Sequence, residues 1–562
     1  MFTSPTGSEN GKHEGYSSNS QQGEPPSGWP IYQKDAQRSA PNFAIATAPS
    51  VKEMAQEYSE SDRWNYMTYG LNVCKDLLLT FYYKPSMILT SPFSIISLVA
   101  IYAILFFAVL VISNVLEIYW QIRGEQQYER SMYSLRDKVE PSMVLDRESA
   151  KLVRATIPTM ADAAPMDNLS DDNPSPSIRQ RVFDLSIAQA LLLLSTLIYQ
   201  RDGVKVRSAV KLLSAKDEAT RRKSIGKLQE SLTKIREIAD KWGLDFHGAT
   251  ELFSVTGPFC GVYLSKTDPV MVVCFKGTNI DSFEDILVDA TLQRVEAGPY
   301  VFGQTHQGFY ESLFSNSGFS KNEIHDPYHN ILRKLNRYAT LLRRKLGTDK
   351  KIQVWVTGHS LGGAMSTLLY ARLLKCPGDL ENCEIRDCYL YGTPAVGNNE
   401  FACTFSSYEL NPLRRSSTLW RVINKKDLVS KLPLAKTDRT IGKYIGKDDI
   451  FNYFHVGHSI KLGCSDKQPI REEESVYRPT TEVLVQLGGW KPQKGPAAQA
   501  SQKPQSLKES FFKQLYAIIH YLAPFSLVDH APEGYRYELN RARDYCTSLM
   551  DKKQGTNVVK LS

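Results

Sequence analysis

The sequence predicts an α/β protein with a mostly parallel central sheet that is covered by helices on both faces. From about residue 178, strand-like apolar runs alternate with helical patterns, and VMVVCF at 270–275 and KIQVWVTG at 351–358 are two of the strands. This alternation favours a parallel sheet, because each helix returns the chain across one face. Hydrophobic residues form 42 % and charged residues 23 % of the 562 residues, which excludes a disordered, collagen-like or coiled-coil protein.

Residues 1–60 have the composition of a disordered polar tail. They are rich in Ser, Gln, Gly, Pro and Asn and contain few large apolar residues. Such a segment buries too little apolar surface to offset the entropy lost on ordering. The net charge of the chain, +8, is spread too thinly to indicate a nucleic-acid partner, and it suits weak attraction to an anionic membrane surface.

Residues 85–116 predict a membrane-anchoring segment with one transmembrane helix. The segment has no charged residue, and IISLVAIYAILFFAVLVI at 95–112 is apolar almost throughout. Eighteen helical residues span about 27 Å, and the flanks extend this beyond the ~30 Å hydrocarbon core of a bilayer. Because of Pro85 and Pro92, a re-entrant hairpin is an alternative to a helix that crosses the membrane. The segment has two basic residues on each flank, so the positive-inside rule does not predict its orientation.

The rest of the chain divides into a linker and one domain. Residues 117–177 have mixed composition, end in DNLSDDNPSPS and are predicted as a linker. Residues 178–550 form the predicted α/β domain, with an inserted loop at 466–506 that is rich in Lys, Gln, Pro and Ala. The nine cysteines are scattered and predict thiols, with a Cys376–Cys383 disulfide as the alternative.

The motif GHSLG at 358–362 lies between the apolar run IQVWVT and a predicted helix at 364–375. A bare G-x-S-x-G is a weak signal, since a chain of this length contains one by chance with a probability of roughly 0.2. Strand, sharp turn and helix in this order are the context of a nucleophile elbow in an α/β-hydrolase. Ser360 would then project from the turn, and the Leu361 N–H would face a developing oxyanion.

A serine nucleophile needs a base, and the base needs an acid that orients it. In α/β-hydrolases these partners follow the serine in the order acid, then histidine. Asp427 comes in a turn directly after the predicted strand LWRVIN at 419–424, where the acid is expected. Glu400 and Asp387 fit less well, because they lie near the start of a helix and of a strand.

Four histidines follow Asp427 in the chain. His455 and His458 lie in a strand-like stretch, and His520 lies inside an amphipathic helical pattern. His530 lies in a loop, which can carry a base to the serine from the edge of the sheet. Position alone therefore favours His530 over His455 as the base.

These motifs together resemble the fungal lipase class 3 family of the α/β-hydrolase superfamily. The resemblance covers about residues 180–545, through VVCFKGT, THQGFY, VTGHSLGGA, YGTPAVGN, WRVINKKDLVSKLP, FHVG and DHAPEGY in this order. It implies Ser360 as nucleophile, Asp427 as acid and His530 as base. His455 falls in the His-Val-Gly element of the family, which is usually not catalytic.

The resemblance also implies an oxyanion hole and a lid. Thr278, after Phe-Lys-Gly, would donate its backbone N–H beside that of Leu361. Lys276 replaces the usual Arg, and Ala395 stands where many relatives have Arg. The lid would lie in NIDSFEDILVDATLQ, although an ordinary amphipathic surface helix would have the same pattern. The apolar stripe at 511–522 is a second lid candidate. The apolar residues of the first lid candidate are Ile280, Phe283, Ile286 and Leu287.

The implied function is hydrolysis of carboxylic esters of acylglycerols at a membrane or lipid-droplet surface, as in triacylglycerol lipases. The N-terminal hydrophobic segment resembles that of oil-body-type lipases, which favours the endoplasmic reticulum or a lipid droplet. Diacylglycerol lipase or phospholipase activity is the close alternative, and a catalytically inactive, membrane-bound, lipid-binding scaffold is the alternative of another class. No cofactor or metal is expected, because the sequence has no HExxH motif and no carboxylate cage.

Overall fold

An eight-stranded sheet organises the domain and carries the GHSLG motif at the end of one of its central strands. The computed structural model describes residues 141–162, 179–213, 217–251, 259–277, 294–314, 327–406, 418–427, 429–432, 452–465, 467–473, 481–490, 527–552 and 558–561. The polar tail 1–60, the hydrophobic segment 85–116, Thr278, the lid candidate 280–287 and the stripe 511–522 lie outside these ranges. No helix within the described residues is long and apolar enough to span a bilayer.

The strands of the described residues belong to three sheets. Numbered along the chain, they are β1 (Arg179–Asp184), β2 (Leu244–Glu251), β3 (Phe259–Ser265), β4 (Val270–Lys276), β5 (Arg294–Glu296), β6 (Gln304–His306), β7 (Ile352–His359), β8 (Cys383–Tyr391), β9 (Leu419–Asn424), β10 (His458–Leu462), β11 (Ile470–Glu473), β12 (Thr481–Gln486) and β13 (Val558–Lys560).

The central sheet has the strand order β11-β10-β9-β8-β7-β4-β3-β2. Strands β4, β7, β8, β9 and β10 run parallel, whereas β2, β3 and β11 pair in antiparallel fashion at the two edges. Every residue of β4 and β7 is buried, as expected for parallel strands that are covered on both faces. The prediction of a mostly parallel central sheet in an α/β fold is confirmed.

Helices cover both faces of this sheet. They are α1 (Pro141–Leu145), α2 (Arg147–Asp162), α3 (Leu185–Leu197), α4 (Gly203–Leu213), α5 (Glu218–Glu230), α6 (Thr233–Lys241), α7 (Gln307–Phe314), α8 (Pro327–Leu346), α9 (Leu361–Lys375), α10 (Asn399–Ser406), α11 (Leu527–His530) and α12 (Pro532–Lys552). One apolar core joins α2, α3, α6 and α12 to one face, and a second joins α7, α8, α9 and α10 to the other.

The two helices that pack against the centre of the sheet are apolar on nearly all sides. Each residue of α3 is buried, and in α9 only Arg372 and Lys375 are not. The Asp184 carboxylate caps α3 by accepting a hydrogen bond from the Ile187 N–H at 2.8 Å. Helix α9 begins at Leu361, directly after Ser360, and α3 packs against β7, the strand that leads into the turn. Cys376, at the end of α9, and Cys383, in β8, carry free thiols.

Two segments are more ordered than the sequence predicts. Helices α1 and α2 lie within residues 117–177, which are predicted as a linker, and α2 buries the apolar stripe that includes Leu152, Ile157 and Met160. Strands β11 and β12 lie within the predicted inserted loop 466–506. Strand β12 forms a second, three-stranded sheet with β1 and β13, because its alternating apolar residues pack against the same core.

Candidate active site

Ser360 occupies a strained turn between strand β7 and helix α9. Its φ of 59° and ψ of −134° are rarely adopted by residues with a side chain. The flanking glycines make the turn sterically feasible, since a Cβ on Gly358 would overlap the Gly362 carbonyl and a Cβ on Gly362 would overlap the Phe275 carbonyl. The strand, sharp turn and helix predicted from the motif are therefore present, and they hold Ser360 at the carboxyl end of the sheet.

Asp427 and His530 form a buried hydrogen-bonded pair at the same edge. Asp427 follows β9, and its Oδ2 lies 2.9 Å from Nδ1 of His530. The prediction that His530 lies in a loop is wrong, because His530 is the last residue of the short helix α11. The aspartate is 0 % and the histidine 3 % exposed. The carboxylate also accepts hydrogen bonds from the Val429 N–H at 2.9 Å and from the Tyr535 hydroxyl at 2.5 Å. An imidazole oriented in this way has Nε2 directed away from the acid.

The surroundings of Asp427 favour its charged form. Burial raises the pKa of this carboxyl, but the opposing effects are larger in sum, and the pKa is held below its ordinary value. The lowering comes from the positive charge that His530 can carry, from the hydrogen bonds of His530 and Tyr535 and, to a lesser degree, from His359. A carboxylate kept ionised can stabilise an imidazolium that forms beside it.

The two atoms that a hydrolytic mechanism would use have no hydrogen-bond partner within the described structure. They are Ser360 Oγ and His530 Nε2, and both are buried. Buried polar atoms are normally satisfied, so each such atom needs an explanation. A reacting serine and its base in a site without substrate provide one, because catalytic hydrogen bonds often tighten only in the complex.

His359 connects the serine turn to the histidine loop. Its Nε2 lies 2.7 Å from the carbonyl oxygen of His530, and its ring centroid is 4.5 Å from that of His530. The carbonyl can only accept, so Nε2 of His359 carries the proton and Nδ1 accepts from the Tyr199 hydroxyl at 3.2 Å. The side chain next to Ser360 thereby fixes the backbone of the residue that would act as base.

Of the two predicted oxyanion donors, only Leu361 lies within the described residues. Leu361 is the first residue of α9, so its N–H has no acceptor within the helix and lies beside Ser360. Thr278 lies outside the described residues. Gly277, directly before it, packs so closely against the turn that a Cβ there would be 2.7 Å from the His359 carbonyl and 3.2 Å from the Gly362 nitrogen.

The alternative acids and bases lie in other environments. Asp387 accepts hydrogen bonds from the Trp420 indole and the Thr418 N–H, both at 2.8 Å, and burial raises its pKa to about 6. His458 lies 3.3 Å from Glu472. Glu400 is exposed at the start of α10. His455 precedes β10, and burial, aided by Arg421, keeps its pKa well below the ordinary value.

The two departures from the family pattern lie beside the site rather than in it. Lys276 is buried, with Nζ 5.8 Å from the centroid of the Tyr199 ring. Ala395 is buried as well, and its N–H donates to the Leu432 carbonyl at 2.7 Å. Both residues therefore support the segments that surround the serine turn.

The sequence does not predict the contacts that join the turn at residues 424–427 to helices α11 and α12. The Asn424 side-chain amide donates to the Asp529 carbonyl at 2.9 Å, and the Lys426 N–H donates to the Asp529 carboxylate at 3.2 Å. Lys425 forms an ion pair with buried Glu538 of α12 at 3.0 Å. In the sequence, the only signals for these contacts are the segments Asp529-His530 and Lys425-Lys426-Asp427, and neither segment indicates what it binds.

Removal of the Tyr535 hydroxyl is expected to slow catalysis and to shift its pH profile. Tyr535→Phe deletes a hydrogen bond to the Asp427 carboxylate, which is worth about 1.5–3 kcal/mol when one partner is charged, so kcat should fall by roughly 10- to 100-fold. The pKa of Asp427 should rise toward its ordinary value. A pKa lowered by folding gives stability that is lost as pH falls through the folded value. Both activity and stability should therefore decline at a higher pH than in the wild type.

The matched control for this prediction is Tyr545→Phe, which removes a hydroxyl from the same helix at a distance from Asp427. Rates of a soluble ester substrate and thermal unfolding, each measured from pH 4 to 8, provide the two readouts. A Tyr535→Phe enzyme with an unaltered acid limb would show that the hydroxyl does not act on Asp427.

Gly392 is expected to tolerate no side chain. It has a φ of 59°, and a Cβ there would lie 2.6 Å from Asp427 Oδ2 and 2.7 Å from His530 Nδ1. Gly392→Ala should therefore separate the pair and reduce kcat at least 100-fold. Gly378→Ala, at a position with open space around it, serves as the control. Full activity of folded Gly392→Ala protein would contradict a role for this pair.

Comparison with known proteins finds a family to which the central part of the chain is similar. Residues 272–437 match the family described as Lipase (class 3). Triacylglycerol lipase OBL1 of Arabidopsis thaliana is 25 % identical over 292 residues, which cover 48 % of this chain and 52 % of the relative. The lipase of Rhizopus oryzae is 27 % identical over 184 residues, 33 % of this chain and 39 % of that protein. The chain thus spans about half, or less, of the length of these relatives.

Solved structures give matches of the same kind. The lipase of Rhizopus microsporus var. chinensis aligns with a TM-score of 0.29 at 20 % identity, and the alignment covers 47 % of this chain and 74 % of that one. The family match itself includes both the serine turn and Asp427. The similarity to class 3 lipases therefore covers residues 272–437, which include strands β7, β8 and β9 of the parallel sheet.

Proposed function

We propose that the protein is a serine hydrolase that cleaves carboxylic esters of acylglycerols, with Ser360 as nucleophile, His530 as base and Asp427 as the orienting acid. The observation that carries this proposal is the buried His530–Asp427 pair, at 2.9 Å, beside a strained serine turn. The unpartnered Ser360 Oγ and His530 Nε2 add to it, because these are the two atoms between which the proton would move.

The first half of the reaction forms an acyl-enzyme. His530 Nε2 takes the proton of Ser360 while Oγ attacks the ester carbonyl carbon and the carbonyl π electrons move to the oxygen. The Leu361 N–H and the backbone N–H proposed for Thr278 donate to the oxyanion, and loss of one such donor typically costs ~10²–10³ in rate. The intermediate then collapses, the C–O bond to glycerol breaks and His530 gives its proton to the leaving alcohol.

The second half releases the fatty acid. Water attacks the acyl carbon, and its proton passes to His530 as the new oxyanion forms. Collapse of this intermediate returns Oγ as the leaving group, which regains its proton from His530. Asp427 stays ionised throughout and holds the imidazole with Nδ1–H toward the carboxylate, so that Nε2 serves the serine in both steps.

Access to the serine calls for a movement. Ser360 is only 2 % exposed, so an ester cannot reach Oγ without a displacement of the cover. We assign this movement to the lid candidate that contains Ile280, Phe283, Ile286 and Leu287, whose apolar side chains suit contact with a lipid surface. Opening at such a surface would couple exposure of the serine to the presence of substrate.

The proposed substrate class is triacylglycerol, presented at a membrane or lipid droplet. Two observations support it: the OBL1 relatives are named as triacylglycerol lipases, and residues 85–116 have the length and composition of a membrane anchor. An anchored enzyme meets an insoluble substrate at a high effective concentration. The endoplasmic reticulum and the lipid droplet are the proposed locations.

A panel of substrates tests the activity and its class. Purified full-length enzyme is given emulsified triolein, dioleoylglycerol, phosphatidylcholine and a water-soluble butyrate ester, and it is labelled in parallel with a fluorophosphonate. We expect labelling of a single serine and the fastest release of fatty acid from triolein. Preference for dioleoylglycerol or phosphatidylcholine would change the substrate class. An unlabelled, folded protein would instead indicate a lipid-binding scaffold.

A further inference from the structure

Helices α4 and α5 pack against each other, and we call the stretch of sequence that contains them, residues 203–230, the cationic hairpin. The Ser224 hydroxyl of α5 donates to the Ala209 carbonyl of α4 at 2.8 Å, and both residues are buried between the helices. At its base, the Asp202 N–H donates to the Ser231 carbonyl at 3.0 Å. Arg201 reinforces this closure by donating to the Ser231 hydroxyl at 3.2 Å.

The charge of the cationic hairpin is concentrated and positive. Its 28 residues contain eight Lys or Arg and three Asp or Glu, a net charge of +5 out of the +8 of the whole chain. Arg222 and Lys223 are exposed on α5. Exposed aliphatic side chains lie among these cations, since Val204 is 60 % and Ile225 50 % exposed. A cluster of Lys and Arg is attracted to the surface of an anionic membrane, and exposed aliphatic side chains can enter the boundary between the headgroups and the acyl chains.

The base of the cationic hairpin lies near the carboxyl end of the parallel strands, where Ser360 lies; we call this side of the sheet the serine edge. Tyr199, just before the hairpin, donates to His359, the neighbour of the serine. The Arg201 guanidinium lies 4.0 Å from the centroid of the Phe259 ring, and Phe259 pairs with Lys276 at the end of β4. The hairpin therefore extends from the edge at which an ester would arrive.

The chain that comes from the predicted anchor reaches the described domain near the same edge. Helix α1 is held by Arg536, which donates to the Met143 carbonyl at 3.1 Å and forms an ion pair with Asp146 at 2.5 Å. Arg536 directly follows Tyr535, the hydroxyl donor to Asp427. Leu145 is exposed at the end of α1. Attachment on this side suits a domain whose serine edge faces the lipid surface.

We propose that the cationic hairpin docks on an anionic lipid surface and so turns the serine edge toward the substrate. The inference rests on the proposed function for the identity of the substrate, but not for the docking itself. The exposed aliphatic residues favour lipid over an acidic protein, because they can enter the acyl boundary while Arg222 and Lys223 contact the headgroup phosphates.

Reconstituted full-length protein provides the test. Equal amounts are incorporated into vesicles of phosphatidylcholine alone or with 30 mol % phosphatidylglycerol, so that anchoring itself is not the readout. Hydrogen exchange of residues 203–230 should slow on the anionic vesicles and recover in 0.5 M NaCl, because salt screens the attraction. Hydrolysis of an acylglycerol carried in the vesicles should be roughly tenfold faster with phosphatidylglycerol.

Charge reversal separates the cationic hairpin from other basic surfaces. Arg222→Glu/Lys223→Glu should abolish both effects of phosphatidylglycerol, and Ile225→Ser should weaken them. Arg333→Glu/Arg337→Glu, at two exposed cations of α8, is the matched control and should keep both effects. Hairpin amides that exchange equally on the two vesicles, or a loss of the effects in the α8 control only, would overturn the proposal.

A water-soluble ester distinguishes failure of docking from failure of the proposed function. If the wild type hydrolyses this ester but its hairpin ignores phosphatidylglycerol, the docking proposal is wrong and the hydrolase stands. If the hairpin is protected on anionic vesicles but no ester is cleaved, the docking proposal stands and the hydrolase is wrong. Thermal unfolding checks that the charge-reversed hairpin variant is folded. Its unfolding temperature should be close to that of the α8 control variant.

Discussion

Replacement of Ser360 by alanine should lower kcat for ester hydrolysis by on the order of 10⁵-fold or more, while the fold remains intact. The chemical step depends on a covalent bond to Oγ, and no other described side chain projects from the strained turn between β7 and α9. The stability should hardly change, because Ser360 Oγ is buried without a hydrogen-bond partner within the described structure. Removal of the hydroxyl therefore breaks no hydrogen bond seen there.

Two measurements on the same protein preparation check this expectation. The rate with a water-soluble ester reports the loss of chemistry, and the thermal unfolding midpoint reports the fold. Ser548→Ala, which removes an exposed hydroxyl from α12, is the control and should match the wild type in both. Retention of more than about 1 % of the wild-type rate by Ser360→Ala would remove Ser360 from its proposed role.

His530→Ala should abolish hydrolysis to a similar degree, whereas His455→Ala should keep most of it. Only His530 of these two bonds to Asp427, and its Nε2 lacks a partner within the described structure. Loss of the base leaves Ser360 with an ordinary, weakly nucleophilic hydroxyl, which costs on the order of 10⁵-fold in related triads. His455 should instead contribute to packing, so its replacement should lower the unfolding temperature more than the rate.

Added imidazole sharpens the comparison. A small imidazole that enters the cavity of His530→Ala can take the serine proton, so partial recovery of hydrolysis is expected for this variant. No recovery is expected for Ser360→Ala, since the nucleophile itself is missing. A folded, fully active His530→Ala enzyme beside an inactive His455→Ala enzyme would reverse the assignment.

Much of the fold could be predicted from the sequence because local pattern and tertiary environment agree. Strand β4 is apolar at every position except Lys276, β7 contains the apolar residues Ile352 and Val354–Val356, and the structure buries both strands completely. The GHSLG motif, with its small residues, is compatible with only a few backbone conformations, so its context predicts the strand, turn and helix. Such signals lie within a dozen residues of one another.

The elements that the sequence analysis did not predict depend on distant partners. Helix α2 has a modest apolar stripe and contains Pro158, so its pattern alone resembles that of a linker. Strand β12 is short, and its pairing with β1 joins residues that are about 300 positions apart. The stabilisation gained by burying such short apolar stripes can be judged only when the surface against which they pack is known.

The site shows the same division. Chain order predicts Ser360, Asp427 and His530 as partners, and the structure places the latter two within hydrogen-bond distance of each other. The loop predicted at His530 is instead the short helix α11. The contributions of Tyr199 and Gly392 could not be predicted, because one acts through His359 and the other by leaving room for the pair. A missing side chain has no sequence signal of its own.

The contacts that hold α11 and α12 against the turn after β9 explain how the site can form despite the long stretch of chain between its acid and its base. Asp427 and His530 are 103 positions apart, yet Asn424 and Lys426 hold Asp529, and Lys425 holds α12, by direct contacts. The entropy of closing a flexible loop grows only with the logarithm of its length, by about 0.6 kcal/mol for each doubling. Changes in the number of residues between Asp427 and His530 should therefore cost little free energy, because these direct contacts position the imidazole.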